Sequence, residues 1–310
     1  MKKKIFVALS TFAENGREPL ELLEKSGHPF WLNTTGKRLK ADEVVSLGKD
    51  CEGIVAGVEP YDETVLERMT NLKCISRCGV GTDNIHKDKA RQKGIAVLNT
   101  PDVVVQPVAE LTLAIILDLL RHLSWHTSRM KAGQWEKKTG GLLAGKNVGI
   151  IGLGRIGKRV AEMMMYLGAS VCASDVQPDE IWARQKGVAI LPADELLKRA
   201  DVVCLHVSAS AKNPFRMTGR DIGLMKPGAV LANLSRGDAV DEAALYSALK
   251  EGRLGGAGLD VFPEEPYKGK LCELDNVVLT PHVATLTAES RLQMETEAVK
   301  NLLNYFLQRP

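Results

Sequence analysis

The sequence predicts an α/β protein of two unequal domains, each a parallel β-sheet wrapped by helices. Three observations lead there. The chain has 310 residues, too many for one ordinary core and comfortable for two. Short apolar runs alternate with amphipathic segments along almost the whole length, as parallel strands alternate with crossover helices. Near residue 150 a buried strand runs into a glycine-rich turn and opens a second, longer βα series.

Taken in order, residues 5–9 form the first strand. The Met1-Lys2-Lys3-Lys4 before it looks superficially like a signal peptide, but the apolar run is short and reaches no small-residue cleavage site. Helical patterns over 18–25 and 63–70 then separate strands at 53–56, 73–76 and 96–99. One long apolar helix is predicted from about 104 to 130, ended by Gly133, with a face to offer another subunit. Its most apolar stretch, 111–120, is interrupted by Thr112 and Asp118 and is far shorter than a membrane span.

The second series places strands at 148–151, 170–174, 202–207, 229–234, 256–260 and 277–280. Helix signals fall between them: Asp194 before Glu195, and Asp241 before 242–250 with Gly252 just past the end. A last helical pattern over 288–306 is expected to return to the N-terminal domain, with hinges near Thr100 and His282.

Composition narrows the function. Apolar residues make up 45% and charged residues 25%, the proportions of a folded globular protein. A net charge of +3, with basic and acidic residues interleaved, gives no reason to expect nucleic acid. The six cysteines (51, 74, 78, 172, 204, 272) are scattered, and Cys74 with Cys78 has neither redox nor zinc spacing, so reduced thiols in a cytoplasmic protein without a metal are expected.

Asn147-Val148-Gly149-Ile150-Ile151-Gly152-Leu153-Gly154-Arg155-Ile156-Gly157 reads as a strand, a tight turn and a helix start. Gly152 permits the turn, Gly154 lets the backbone approach a pyrophosphate, and Gly157 lets the helix close on its strand. Arg155 and Ile156 begin the helix, whose N-terminus offers N–H groups and partial positive charge to phosphates. Asp175 ends the next strand, where a carboxylate accepts from the adenosine ribose and repels a 2′-phosphate, with no Arg or Lys in Val176-Gln177-Pro178. The larger domain is thus a doubly wound, Rossmann-like domain with NAD as its cofactor.

Three further residues fall at the ends of later strands, where an open α/β sheet holds its ligands: Arg236 in Asn233-Leu234-Ser235-Arg236-Gly237, Glu265 in the segment from Leu259 to Pro266, and His282 in Thr280-Pro281-His282. With Ser76-Arg77-Cys78-Gly79-Val80-Gly81-Thr82-Asp83-Asn84-Ile85, the glycine motif and Met225-Lys226-Pro227-Gly228-Ala229, these segments resemble the D-2-hydroxyacid dehydrogenase family, in particular its phosphoglycerate-dehydrogenase-like members, over nearly the whole chain. The resemblance implies hydride transfer between NAD(H) and C2 of a small 2-oxo or D-2-hydroxy acid, with Arg236, Glu265 and His282 catalytic. It implies a flavodoxin-like substrate domain over 1–99 plus 286–310 and an NAD-binding domain over 100–285. It also puts His206 and Asp260 beside the cofactor, makes Arg77 and the Cys78-Gly79-Val80-Gly81 loop a carboxylate clamp of consecutive N–H groups alongside Arg236, and suggests a homodimer through Gly133-Gln134-Trp135.

The chemistry asks for such groups, because negative charge gathers on the carbonyl oxygen as hydride arrives and needs a proton donor and a fixed cation. His282 is the acid for reduction and the base for oxidation, Glu265 would orient its imidazole, and Arg236 would grip the substrate carboxylate with a planar fork.

The pattern departs from the family in places. The segment 206–213 lacks the Pro-Leu-Thr that usually lines the cofactor, and Thr285 replaces a glycine or aromatic. Phosphoglycerate-specific relatives often carry cations on the loop after the third strand, whereas this chain has Gly57-Val58-Glu59-Pro60-Tyr61. The chain ends at Pro310, so a regulatory C-terminal domain is not expected. Phosphohydroxypyruvate, hydroxypyruvate and glyoxylate all stay open as substrates, as does phosphite. A different class, an NADH-sensing interaction protein without turnover, is the competing reading.

Overall fold

The computed structural model describes residues 2–208 and 215–308. The chain divides into two compact units, Met1–Val104 with Leu286–Pro310, and Val105–Thr285.

The first unit is a parallel sheet of β1 (Ile5–Val7), β2 (Phe30–Leu32), β3 (Gly53–Ala56), β4 (Cys74–Arg77) and β5 (Ala96–Leu98), in the order β2-β1-β3-β4-β5. β1 and β3 are buried along their whole length, which explains why they read as unbroken apolar runs rather than alternating ones. The terminal helix Ala288–Leu307 packs on this sheet, where a Cβ at Gly53 would meet the Phe306 ring and Leu302. It is tied there by the buried Ser76 hydroxyl, which donates to Ala298 O at 2.7 Å.

The second unit has seven parallel strands: β6 (Asn147–Ile151), β7 (Ser170–Ser174), β8 (Ala189–Ile190), β9 (Val202–Leu205), β10 (Val230–Asn233), β11 (Gly256–Leu259) and β12 (Val277–Leu279). Their order is β12-β11-β10-β9-β6-β7-β8, so the winding direction reverses beside β6. Ile116, Ile150, Val160 and Met164 fill one face, and Leu196, Leu205, Leu231 and Leu245 the other. Such a reversal opens a crevice at the carboxyl ends of the strands.

The long helix is not continuous. One helix covers Val105–Arg121, His122 adopts a left-handed conformation (φ 54°), and a second helix covers Leu123–Lys131 with no buried residue. The cause lies in competition for hydrogen bonds. The carbonyl of Leu120 accepts from Gly141 N at 2.8 Å, and the Asp118 carboxylate takes the Ser124 N–H that a continuous helix would have aimed at it. β2, β8 and the helices Ala41–Gly48 and Lys87–Gln92 have no counterpart in the sequence reading, being short and weakly periodic. No described helix is long and apolar enough to cross a membrane.

Candidate active site

In the second unit β6 runs directly into Gly152 (φ 97°), where a Cβ would lie 2.4 Å from His206 O. At Gly157 a Cβ would lie 2.1 Å from Gly152 O. Packing within the protein therefore demands both glycines. Gly154 is different, because its φ of −74° suits any residue and nothing lies within 4 Å of its missing Cβ. That cleared approach fronts the N-terminus of helix Arg155–Tyr166, whose first N–H groups, those of Arg155 and Ile156 included, have no carbonyl within the helix to bond. The three glycines and the helix start fit a dinucleotide pyrophosphate.

Asp175 plays a part the sequence did not announce. Its Oδ2 accepts from Leu153 N at 2.6 Å and its Oδ1 from Gln177 N at 2.8 Å, so the carboxylate braces the glycine turn. A carboxylate has about four acceptor sites, which leaves capacity for sugar hydroxyls. The nearby Lys158 ammonium is held by Asp179 at 2.6 Å rather than offered to a 2′-phosphate.

His206 is tied to the end of β6 by its main-chain N–H, which donates to Ile151 O at 2.8 Å, and its carbonyl packs against Gly152. Both its ring nitrogens are shut off from solvent without a partner among the described residues, and burial pushes its pKa down to about 4. It is neutral at neutral pH and adds no cation for the phosphates. The departure at 206–213 falls largely on residues 209–213, outside the described residues.

The catalytic candidates form one framework. His282 Nδ1 meets Glu265 Oε2 at 2.9 Å, while Glu265 Oε1 accepts from Phe262 N at 3.1 Å, so both carboxylate oxygens are engaged and the ring is fixed. The His282 side chain remains 57% exposed, with Nδ1 the ring nitrogen turned to Glu265. Its backbone is left-handed (φ 55°), a conformation that costs an ordinary residue on the order of 1–3 kcal/mol and must be held by its surroundings.

Asp260 does the holding. Fully buried at the end of β11, it accepts from Thr280 Oγ1 at 2.6 Å, Val283 N at 2.8 Å and Ala284 N at 2.9 Å, gripping the chain on both sides of His282. Sequence reading gave Asp260 only a place beside the cofactor. The aspartate in Gly-Leu-Asp before an acidic loop was the available signal, but its partners lie 20 to 24 residues onward.

Arg236 sits on a turn shaped by Asn233, whose Nδ2 donates to Arg236 O at 2.8 Å and whose Oδ1 accepts from Ser235 N and Oγ at 3.1 and 2.8 Å. Arg236 Nη1 donates to Ser235 O at 2.7 Å. A Cβ at Gly237 would lie 2.0 Å from Phe262 C, so the Arg236 turn rests directly on the backbone that leads to Glu265. Asn233 and Gly237 escaped the sequence reading, since neither carries reactive chemistry.

The predicted clamp belongs to the first unit and is narrower than expected. Cys78 N donates to Ala56 O at 2.8 Å and Gly79 N to Thr100 Oγ1 at 2.8 Å, so two of the four N–H groups are already spent. Val80 and Gly81 remain as donors with no partner among the described residues. Asn99 Nδ2 holds Val80 O at 2.9 Å. The Arg77 guanidinium lies over Gly79 (φ 127°), where a Cβ would collide with it, and donates to Cys78 O. Cys78 is 2% exposed and its thiol is pushed up to about 12 by burial, so it is an inert wall rather than a nucleophile. No group of three or more potential metal ligands occurs among the described residues.

Comparison with known proteins agrees with this architecture. Residues 113–284 match the family model for the D-isomer specific 2-hydroxyacid dehydrogenase, NAD binding domain. A hydroxypyruvate reductase of Thermotoga maritima is 36% identical over 87% of this chain and 90% of its own length. A D-3-phosphoglycerate dehydrogenase of Methanocaldococcus jannaschii is 39% identical over 86% of this chain, which spans only 52% of that relative. The crystal structure of a D-lactate dehydrogenase from Aquifex aeolicus, complexed with NAD and lactic acid, superposes with a TM-score of 0.86 and 32% identity over 98% of this chain and 95% of that one. Two parallel sheets, the glycine turn and these matches together make the chain a member of the D-isomer specific 2-hydroxyacid dehydrogenases, an NAD-dependent oxidoreductase.

Proposed function

We propose that the protein interconverts a small 2-oxo acid and its D-2-hydroxy acid with His282 as the proton-transfer group, Glu265 as its orienting partner and Arg236 as the fixed cation. The observation that carries this assignment is the 2.9 Å contact of His282 Nδ1 with Glu265, on a loop pinned by three bonds to buried Asp260. When bound, NADH supplies the hydride. Gly152, Gly154, Arg155, Ile156, Gly157 and Asp175 would hold the cofactor, with His206 shaping the turn beneath it and Asp260 acting through the His282 loop. In reduction, protonated His282 donates its Nε2 proton to the substrate oxygen as charge develops there, while Glu265 stabilises the imidazolium from the other side. Arg236 holds the carboxylate and polarises the carbonyl. Within the first unit, the free N–H groups of Val80 and Gly81 suit a carboxylate. In oxidation, neutral His282 takes the hydroxyl proton.

Single-turnover oxidation of NADH with a panel of 2-oxo acids tests this reading. His282→Ala should lower kcat by about 10²–10⁴-fold with NADH affinity nearly unchanged, because acid–base help is worth that much. Wild-type turnover in that variant, or NADH binding without turnover on any acid, overturns the assignment, and the second result favours the nucleotide-sensing alternative.

We further propose a cytoplasmic homodimer. Leu123 and Met130 on the second helix and Trp135 and Leu142 in the segment after it are large apolar side chains left exposed, Trp135 by 78%, and a concentration of them along one stretch favours a partner. Light scattering at micromolar concentration decides it, and a monomer would refute it.

A further inference from the structure

The loop that carries Glu265 is fastened to the second unit through one aromatic ring. Phe262 opens this loop after β11 and serves both catalytic neighbours. Its N–H donates to Glu265 Oε1 at 3.1 Å, and its main chain is the surface on which the Arg236 turn rests at Gly237. The Tyr267 ring stacks on the Phe262 ring, with centroids 4.1 Å apart and planes 19° from parallel. The Tyr267 hydroxyl then reaches out of the loop, donating to Glu242 Oε1 at 2.7 Å and accepting from the N–H of buried Leu271 at 3.3 Å. Glu242 is the first residue of the helix Glu242–Lys250, which is capped by Asp241 and seated in the core by Leu245 and Leu249.

From Pro263 to Pro266, and again at Lys268 and Lys270, the loop is exposed, so Glu265 stands on a stretch of chain with little packing of its own. Tyr267 is the half-buried residue in its middle. The chain folds over the phenol so closely that a Cβ at Gly269 would lie 2.2 Å from the hydroxyl, which only a glycine permits. Burial, and after it the bond to Glu242, pushes the phenol up, and it stays a donor. A phenylalanine would stack as well on Phe262. What the hydroxyl adds is a charge-assisted bond to a seated helix, and therefore a fixed distance between that helix and the backbone that holds Glu265.

We propose that Tyr267 is a positioning residue for the proton-transfer pair: stacked on Phe262 and tied to Glu242 and Leu271, it holds the Glu265 loop and with it the carboxylate that orients His282. This rests on the dehydrogenase reading above. Tyr267 acts through Phe262 and Glu265, not on the substrate.

Tyr267→Phe keeps the stack and removes the hydroxyl. In the NADH-loaded enzyme it should lower kcat on a 2-oxo acid by about tenfold, less than the roughly hundredfold of a full ångström of misplacement, with NADH affinity within about twofold of wild type. Glu242→Ala should do the same, and Glu242→Gln, which keeps an oxygen for the phenol, should recover most of that loss. A double-mutant cycle identifies the route. Added to Glu265→Gln, Tyr267→Phe should cost less than about twofold more, because the group it positions is already gone. Losses that multiply in full overturn the proposal, and so does wild-type kcat in Tyr267→Phe. Hydrogen exchange at the Phe262 N–H needs no turnover: it should quicken in Tyr267→Phe as the Glu265 loop loosens, and unchanged protection overturns the proposal. A wild type that turns over no 2-oxo acid defeats the dehydrogenase reading instead, and the exchange measurement then decides for Tyr267 alone.

Discussion

Asp260→Asn removes a charge and one acceptor from a fully buried side chain and leaves its shape intact. The amide can keep its oxygen on Thr280 Oγ1 and Val283 N, but its NH₂ must then face Ala284 N at 2.9 Å, donor against donor. One buried N–H loses its acceptor, at a cost of about 1–3 kcal/mol. For a unit of this size that lowers the melting temperature by about 2–4 °C per kcal/mol. The functional effect should be larger than the stability effect. His282 is held in a left-handed conformation between the two anchored segments, and a loosened grip lets the residue relax toward ordinary φ/ψ, moving the ring from its place by an ångström or so. A misplacement of that size costs about a hundredfold in the chemical step. Steady-state kinetics at saturating NADH, with a thermal melt of the same preparation, read both quantities. A variant that melts earlier yet keeps kcat within about twofold of wild type would refute the claim that Asp260 acts through the His282 loop.

The other expectations use the same logic. Gly154→Ala places a methyl in the cleared space before the helix and should weaken NADH binding by about tenfold or more at unchanged stability, whereas Gly157→Ala, 2.1 Å from Gly152 O, should cost stability itself; fluorescence titration and melting distinguish them. Gly237→Ala drives a methyl into the Phe262–Pro263 backbone and should lower kcat by separating the Arg236 turn from the Glu265 loop, measurable with the same 2-oxo acid panel. His206 has its pKa lowered from 6.5 to about 4 in the folded protein. Its contribution to stability is therefore complete above pH 6.5 and is lost as pH falls toward 4, by at most about 3 kcal/mol. Denaturant titrations between those pH values should show a shallower decline in His206→Gln than in wild type, and parallel curves would contradict the burial of a neutral ring.

Much of the site was legible along the chain, because its parts are local. A strand, a tight turn and a helix start are written in consecutive residues, and Gly152 to Gly157 needed no folded structure to suggest phosphates. Arg236, Glu265 and His282 stood out as polar groups at strand ends, where a parallel sheet leaves its carboxyl edge open. The sequence also carried Glu59 as an oddity in the loop after β3.

What only the tertiary structure decided are relations between residues far apart in the chain. The three glycines look alike in sequence, yet two are required by backbone atoms of the protein itself, while the third, Gly154, has nothing within 4 Å of its missing Cβ. Helix periodicity runs past residue 121 in the sequence, but a glycine twenty residues later takes the carbonyl that would have continued it. Asp260 reads as one more strand-end acid until its partners on the far side of His282 are seen. The physical reason is common to all of them: propensity and periodicity are properties of neighbours along the chain, whereas a hydrogen bond is claimed by whichever group arrives first in space.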